Sequence, residues 1–497
     1  MEECDYLIIG GGSAGCILAA RLAERTQGRI ILLEAGPSDE NDPLARDLSR
    51  LYDQTPGYDW GFRASPLRGA PLELDYSRAR MLGGCANHND CAYLVPPDCD
   101  FDAWRDRGAR GWGAQDVRPY FRRLDRKVKV ETPTGGNPVS QAFIDACIEA
   151  GFPFRRFREG IGAGTGWFPL NIDGKLRQST SAAYLHPLAR LPRHLEVWTE
   201  TFAERLMVEE KRCVGAATSR GPIRARREVL LTAGAILTPQ LLMLSGIGPA
   251  DELGGVGIAP LHDLPGVGRH LIDHVASGIV WDLHEPVGPC HVTPYEATLL
   301  ASIEPEAPAP DVLYHFGLRV HDKSGVKPRL GNPENGVKLA PNVTRARSEG
   351  RVTLASPDPR AAPVIDLNYF SDPEGYDLRI LCAAMKLGRG LADKGALQHL
   401  VRTEVAPGPE IVDDADLSAY IREVCDTVYH ASGTCRMGDA DAPTSVVTPD
   451  LKVIGIEALR VCDASVFPSM VTVNINNTVM MVAEKAADHV LPGPGGS

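Results

Sequence analysis

Three glycines and one carboxylate near the start of the chain are spaced for phosphate and ribose chemistry. In "DYLIIGGGSAGCILAARLAE" the residues Gly10, Gly12 and Gly15 stand in a GxGxxG pattern. Such glycines let a turn close tightly and let the backbone approach a pyrophosphate, whose charge then sits at a helix N-terminus. Glu34 follows nineteen residues after Gly15, where an acid accepts hydrogen bonds from an adenosine ribose and repels the extra phosphate of NADP. A second chemically capable stretch is "MLGGCANHNDCAY", Met81 to Tyr93. It puts His88 between two asparagines, directly behind the glycine pair Gly83 and Gly84, so an imidazole is carried on a loop that can lie close to a ligand.

These groups need a frame, and the hydrophobic pattern supplies one. Tyr6 to Ile9 reads as a short buried strand, Ser13 to Glu24 as an amphipathic helix, and "RIILLEAG" as a second buried strand that ends in Glu34. This is a βαβ unit that binds a dinucleotide. Two distant apolar runs, Arg227 to Ile236 and Leu459 to Pro468, read as further strands of the same sheet, so the nucleotide domain is discontinuous. Between them, from Thr293 to Tyr369, short alternating runs separated by Pro, Gly and Asp read as antiparallel strands of an inserted domain. The fold class expected is α/β (α+β overall), with a Rossmann-like domain and an antiparallel-sheet domain.

Bulk properties narrow the partners. The 497 residues suffice for two domains with their own cores. A net charge of −12 without a dense Lys/Arg run argues against nucleic acid. The twelve cysteines form no CxxC pair or Cys/His cluster, so no metal site and no disulfide framework are expected. They read as reduced core residues of a cytoplasmic protein. The first apolar run is too short for a membrane span and lacks the basic flank of a signal peptide, so no membrane association is expected. The tail "LPGPGGS" reads as disordered.

Four further motifs carry a resemblance. "ARMLGGCANHN" (Ala79 to Asn89), "GAILTPQLLMLSGIG" (Gly234 to Gly248), "HASGTCRMG" (His430 to Gly438) and "DASVFPSMVTVNINNTVMMVAEKAAD" (Asp463 to Asp488) occur in the order found in the glucose–methanol–choline (GMC) oxidoreductase family. The chain resembles that family over nearly its whole length, most closely its choline oxidase-like members. The resemblance implies FAD as cofactor. Gly10, Gly12, Ser13, Ala14, Gly15, Glu34 and Ala35 would hold its ADP half, and Asp463 and Ala464 its pyrophosphate and ribityl region. Asn476, Asn477 and Thr478 open the last helix, whose positive end would face the electron-rich end of the flavin. Gly83, Gly84, His88 and Asn89 would form the flavin-facing loop, with His88 bonded covalently to the 8α-methyl of FAD.

The same resemblance assigns the chemistry. His430 matches the family's active-site histidine, and Asn474, eleven residues before Lys485, matches its partner. An alcohol yields hydride as its oxyanion develops, so an imidazole base and an amide donor are the residue types required. The implied reaction is hydride transfer from a primary alcohol to flavin N5, giving an aldehyde and, with O₂ as acceptor, hydrogen peroxide. Glu296, fourteen residues before Pro310, matches a glutamate that faces a trimethylammonium head. Asp90 stands where choline oxidase-like members have a serine, Leu330 where they have a histidine, and Val428 completes the expected substrate-binding set. The implied domains are 1–130, 186–278 and 428–497 for FAD, and 131–185 and 279–427 for substrate, with a homodimer left open as the assembly. A dehydrogenase with another electron acceptor and an FAD-containing hydroxynitrile lyase remain alternatives at this stage.

Overall fold

A computed structural model describes residues 1–48, 56–188, 192–320, 330–331 and 333–491. The expectation for the last six residues of the tail therefore lies outside the described residues.

The N-terminal unit forms as its pattern requires. β1 (Glu2–Ile9) ends in the fully apolar run Leu7–Ile9, which suits a strand covered on both faces. The chain crosses over through α1 (Ser13–Arg25) into β2 (Ile30–Leu33), parallel to β1 from Tyr6↔Ile30 to Ile9↔Leu33. β3 (Leu195–Trp198) lies outside β2 and β4 (Ile223–Leu231) lies on the other flank of β1, both parallel. β5 (Leu459–Val461) pairs with the end of β4. Antiparallel strands Arg212–Thr218 and Ala203–Glu209 extend the sheet beyond β4, for seven strands in all. Segments from three distant parts of the chain build this one sheet.

Both distant strands end earlier than their apolar runs suggest, and one side chain is responsible. β4 stops at Leu231, and α2 (Gly234–Leu244) begins three residues later; β5 stops at Val461, and a 3₁₀ turn covers Ala464–Val466. The buried Asp463 carboxylate accepts from Gly234 N (2.8 Å) and Thr238 Oγ1 (2.7 Å) with one oxygen, and from Ser465 N (2.8 Å) and Ser465 Oγ (2.6 Å) with the other. It caps α2 and the turn together, so the apolar residues beyond enter helix and turn instead of strand.

A second, eight-stranded sheet is antiparallel. Its strands run in the order Val401–Ala406, Ile279–Leu283, Gly336–Val343, Val312–Gly317, Tyr295–Ala301 and Gly164–Trp167, with short pairings at Val275–Ala276 and Asp426–Thr427. One face packs on helices: Phe316 stacks on Phe143 at 4.5 Å, and Tyr314 donates to Ala384 O at 2.8 Å. Strand alternation turns His315, between them, to the opposite face. Gly350–Thr353 does not join this sheet. It pairs with Arg269–Leu271 and Val364–Asp366 in a separate five-stranded sheet. The chain is redirected just before it, where Asp377 accepts from the backbone N–H groups of Arg347 and Ser348, each at 2.8 Å.

The last long helix, α3 (Asn476–Val490), packs along α1. A buried ion pair between Arg21 and Glu484 (2.8 Å) joins them, and Tyr184 adds a third hydrogen-bonding group on Glu484 at 2.6 Å. Among the described residues no helix is long and apolar enough to cross a membrane, and no three His, Cys, Asp or Glu groups are placed to hold a metal ion.

Candidate active site

One continuous cavity runs from the β1–α1 turn to the inner face of the antiparallel sheet. At its nucleotide end it is lined by Gly10, Gly12, Ser13, Ala14, Glu34 and Ala35. Two glycines of the turn, Gly10 and Gly15, answer a steric demand. A Cβ on Gly10 (φ +110°) would lie 2.6 Å from Thr232 O, and one on Gly15 only 1.9 Å from Gly10 O. Gly15 therefore packs the helix onto the turn and does not face the cavity. Glu34 is buried; its oxygens accept from Gly11 N (3.0 Å) and Gly36 N (2.7 Å), which fixes the carboxylate beneath the turn. Burial raises its carboxyl pKa, and these N–H donors oppose that rise.

The loop carrying His88 closes over this turn. Gly84 (φ +55°) sits on Gly12, with room for no side chain: a Cβ would lie 2.7 Å from Gly12 Cα. Gly84, His88, Asn89 and Asp90 line the cavity, whereas Gly83 lies behind them against Asn87 and Ser181. His88 Nδ1 is 3.2 Å from Ser77 Oγ, which in turn donates to Asp59, itself 3.9 Å from the ring nitrogen. The buried Arg177 guanidinium clamps the loop through Asn89 Oδ1 (3.0 Å), Asn89 O and Cys91 Sγ (3.1 Å). At the start of α3, Asn476 Oδ1 accepts from Ser13 Oγ at 2.8 Å and lines the cavity. Asn477 and Thr478 do not line it. Asn477 is buried and donates to Leu94 O at 2.9 Å, and Thr478 is buried behind it.

His430 and Asn474 meet in the middle of the cavity wall, with Asn474 Nδ2 3.4 Å from His430 Nε2. The other ring nitrogen of His430 is 2.8 Å from Nδ1 of His274, and the two rings stand at 83°. Asp273 holds both residues. Its Oδ1 accepts from the backbone N–H of His274 (2.9 Å) and of His430 (2.8 Å), and its Oδ2 from the hydroxyls of Tyr76, Tyr369 and Thr427. Burial depresses His274 to about 4. His430 is held well below the ordinary imidazole value, by burial first and then by His274, His315 and the Arg78 cation. Asp273, His274 and Arg78 were missed by sequence reasoning. The only sequence signal for the first two was the adjacent pair "DH" just after the short strand Arg269–Leu271.

The substrate-side expectations are partly overturned. Val428 and Asp90 line the cavity, but Glu296 and Leu330 do not. Glu296 follows Tyr295 on its strand and points the other way, where Oε2 accepts from Asn137 N (2.8 Å) and Oε1 from His291 N (2.5 Å). Two backbone donors satisfy this buried carboxylate outside the cavity. Leu330 packs beside Gly278 and Lys338 as a fully buried core residue. The side chains that do face inward here are Tyr295, His315, Lys338 and Phe168. Phe168 stacks on His315 at 5.6 Å, and burial pushes His315 down to about 3. Lys338 lies 3.7 Å from Asp426, whose other oxygen accepts from Thr427 N at 2.7 Å.

Comparison with known proteins places this arrangement. The GMC oxidoreductase pattern matches residues 4–276 and 346–483. The choline oxidase of Arthrobacter globiformis is 38% identical across 98% of this chain and 94% of its own. The chain belongs to the GMC oxidoreductase family. The oxygen-dependent choline dehydrogenase of Brucella suis biovar 1 is 33% identical, covering 98% of this chain and 96% of its own. Among solved structures, pyridoxine 4-oxidase from Mesorbium loti superposes with a TM-score of 0.89 at 28% identity, over 97% of this chain and 98% of that one. A formate oxidase variant from Aspergillus oryzae RIB40 also gives 0.89, at 25% identity over 98% of both chains.

This GMC oxidoreductase acts on CH–OH groups, and its family implies FAD. The residues present fit that cofactor. Arg78 Nη2 and Asn474 Oδ1 are buried without a hydrogen-bond partner among the described residues, and both residues line the cavity. A donor and an acceptor left open beside a glycine cradle suit a polar heterocycle with a pyrophosphate tail.

Proposed function

We infer that this protein is an FAD-dependent alcohol oxidase that converts a primary alcohol and O₂ to an aldehyde and hydrogen peroxide. The observation that carries this reading is the buried, neutral His430 beside Asn474, in the same cavity as the dinucleotide turn. Bound FAD supplies the two-electron acceptor. Gly10, Gly12, Ser13 and Glu34 would hold its ADP half, Asp463 and Asn476 its middle, and Gly84 and Asn89 the flavin ring. His88 on the same loop would be its covalent tether.

The protein's own groups divide the remaining work. His430 takes the hydroxyl proton of the alcohol at Nε2, and Asn474 Nδ2 donates to the oxygen as charge develops there. His430 is buried, which limits the competition of water for its ring nitrogen. His430 stays unprotonated through neutral and mildly acid pH because its pKa is depressed, so the base form is present before substrate arrives. The names of the relatives, an oxidase, an oxygen-dependent dehydrogenase and a pyridoxine oxidase, support O₂ as acceptor.

The substrate end favours an aromatic alcohol with a hydrogen-bond acceptor over a quaternary ammonium. Phe168, Tyr295 and neutral His315 offer flat walls, and Lys338, with Asp426 3.7 Å away, offers N–H donors beside them. The glutamate that would have faced a cationic head is turned away.

Anaerobic mixing with a panel of primary alcohols tests the reading. A hydroxymethyl arene bearing a phenolate or carboxylate should bleach the flavin faster than choline does, and in air should release one peroxide per aldehyde. His430→Ala should slow the bleaching on the order of 10²- to 10⁴-fold. Cyanide release from a hydroxynitrile without bleaching, or undiminished reduction in the variant, would overturn it.

A further inference from the structure

We propose that His274 is a positioning residue that fixes His430 as its Nδ1–H tautomer, leaving the Nε2 lone pair on the substrate side. The proton positions follow from the partners of each nitrogen. His274 Nε2 lies 3.0 Å from two carbonyl oxygens, those of Thr344 and Val471. Carbonyl oxygens only accept, so this nitrogen carries the hydrogen. Burial keeps His274 neutral, with a value of about 4, so its Nδ1 carries none. Nδ1 is nevertheless 2.8 Å from His430 Nδ1, a separation that requires a hydrogen between them. That hydrogen belongs to His430. A neutral His430 with a proton on Nδ1 has a bare Nε2, and Asn474 Nδ2 lies 3.4 Å from it as a donor.

The arrangement could not switch without leaving a buried group unsatisfied. Moving the His274 proton to Nδ1 would set its Nε2 lone pair against two carbonyl lone pairs. Doubly protonating His274 would bury a charge that Asp273 does not meet at the ring, since that carboxylate's hydrogen bonds go to two backbone N–H groups and three hydroxyls. The rings come from positions 156 residues apart, and the backbone bonds from Asp273 set their mutual orientation. The consequence for catalysis rests on the alcohol-oxidase reading, because a base needs its lone pair toward the hydroxyl. The tautomer itself does not depend on that reading.

Nitrogen NMR of the holoenzyme labelled with ¹⁵N-histidine, with assignment by single substitutions, reads the tautomer directly. The expected spectrum has His430 Nε2 at the unprotonated shift and Nδ1 at the protonated shift, with His274 reversed. A His430 protonated on Nε2, or averaged between both forms, would overturn the proposal, and the variants serve only to assign the resonances. A kinetic arm follows. His274→Leu should lower the rate of flavin reduction at saturating alcohol roughly 10- to 100-fold with KM changed little, and shift the pH profile. His274→Asn, whose amide oxygen can accept from His430 Nδ1–H, should recover most of the rate. An unaffected Leu variant, or an Asn variant as slow as Leu, would count against the proposal. A wild type that oxidises no alcohol would instead defeat the functional reading and leave the NMR result standing.

Discussion

Imidazoles in this cavity differ chiefly in what their second nitrogen touches. His315 receives an N–H from Asn342, whose amide nitrogen also donates to Leu313 O at 2.6 Å, so its Nε2 carries the proton and offers a donor. His430 offers a lone pair by the argument above. His88 has Nδ1 set against Ser77, with Asp59 behind it, an arrangement that can take up the Nδ1 proton when the ring forms a bond elsewhere. The tether therefore has a direct test at the level of one residue. Wild-type protein precipitated with acid should keep its yellow colour in the pellet, whereas His88→Ala should release its flavin to the supernatant. A wild type that releases all its FAD would remove the tether from the reading. Glu296 teaches the opposite lesson: a carboxylate with a suggestive position in the chain is satisfied by two backbone donors outside the cavity and has no part in it.

At the scale of elements, the cofactor cradle is a contact between two loops with no side chains between them. Gly12 opens α1, and Gly84 opens the 3₁₀ turn Gly84–Asn87 of the flavin loop in a left-handed conformation. An alanine at 84 would strain the backbone there by about 1–2 kcal/mol. Its methyl would also meet the Gly12 backbone, which cannot rotate away as a side chain could. Gly84→Ala should therefore lower both the thermal midpoint and the flavin-to-protein absorbance ratio of the purified enzyme. A variant with full flavin content and an unchanged midpoint would show that the two loops separate without cost. The same logic explains Asp463, which stops two strands and caps a helix through one carboxylate.

For the molecule as a whole, four desolvated histidines give acid sensitivity, among them His489 on α3, which is pushed down to about 4. His274 (about 4), His315 (about 3), His430 (well below the ordinary value) and His489 titrate lower when folded than when unfolded. Below pH 6.5 the unfolded chain takes up protons that the folded one refuses, so stability falls as pH falls. Each such histidine contributes a loss of about 1.4 kcal/mol per pH unit until its folded value is reached. Burial raises the carboxyls of Glu34, Asp100 and Asp463, which act in the opposite sense at the acid end. The thermal midpoint should thus drop steadily between pH 6.5 and 5, and a flat profile there would mean that the histidines charge inside the fold.

What the sequence determined by itself was local. The β1–α1–β2 unit and its glycine turn were legible, because hydrophobic period and glycine sterics act within a few residues, whereas the start of α3 at Asn476 came only through the family resemblance. His430 and Asn474 were legible only through motif order, not through any property of their own. The tertiary structure alone decided which way strand residues face. Tyr295 and Lys338 turn inward and Glu296 outward, because register in the sheet selects one of two faces. It also decided the length of β4, capped by a carboxylate 229 residues from Gly234, and the pairing of His274 with His430 across 156 residues. A hydrogen bond between such distant groups leaves no periodic trace in the chain, because nothing but the packed fold brings its two atoms within reach.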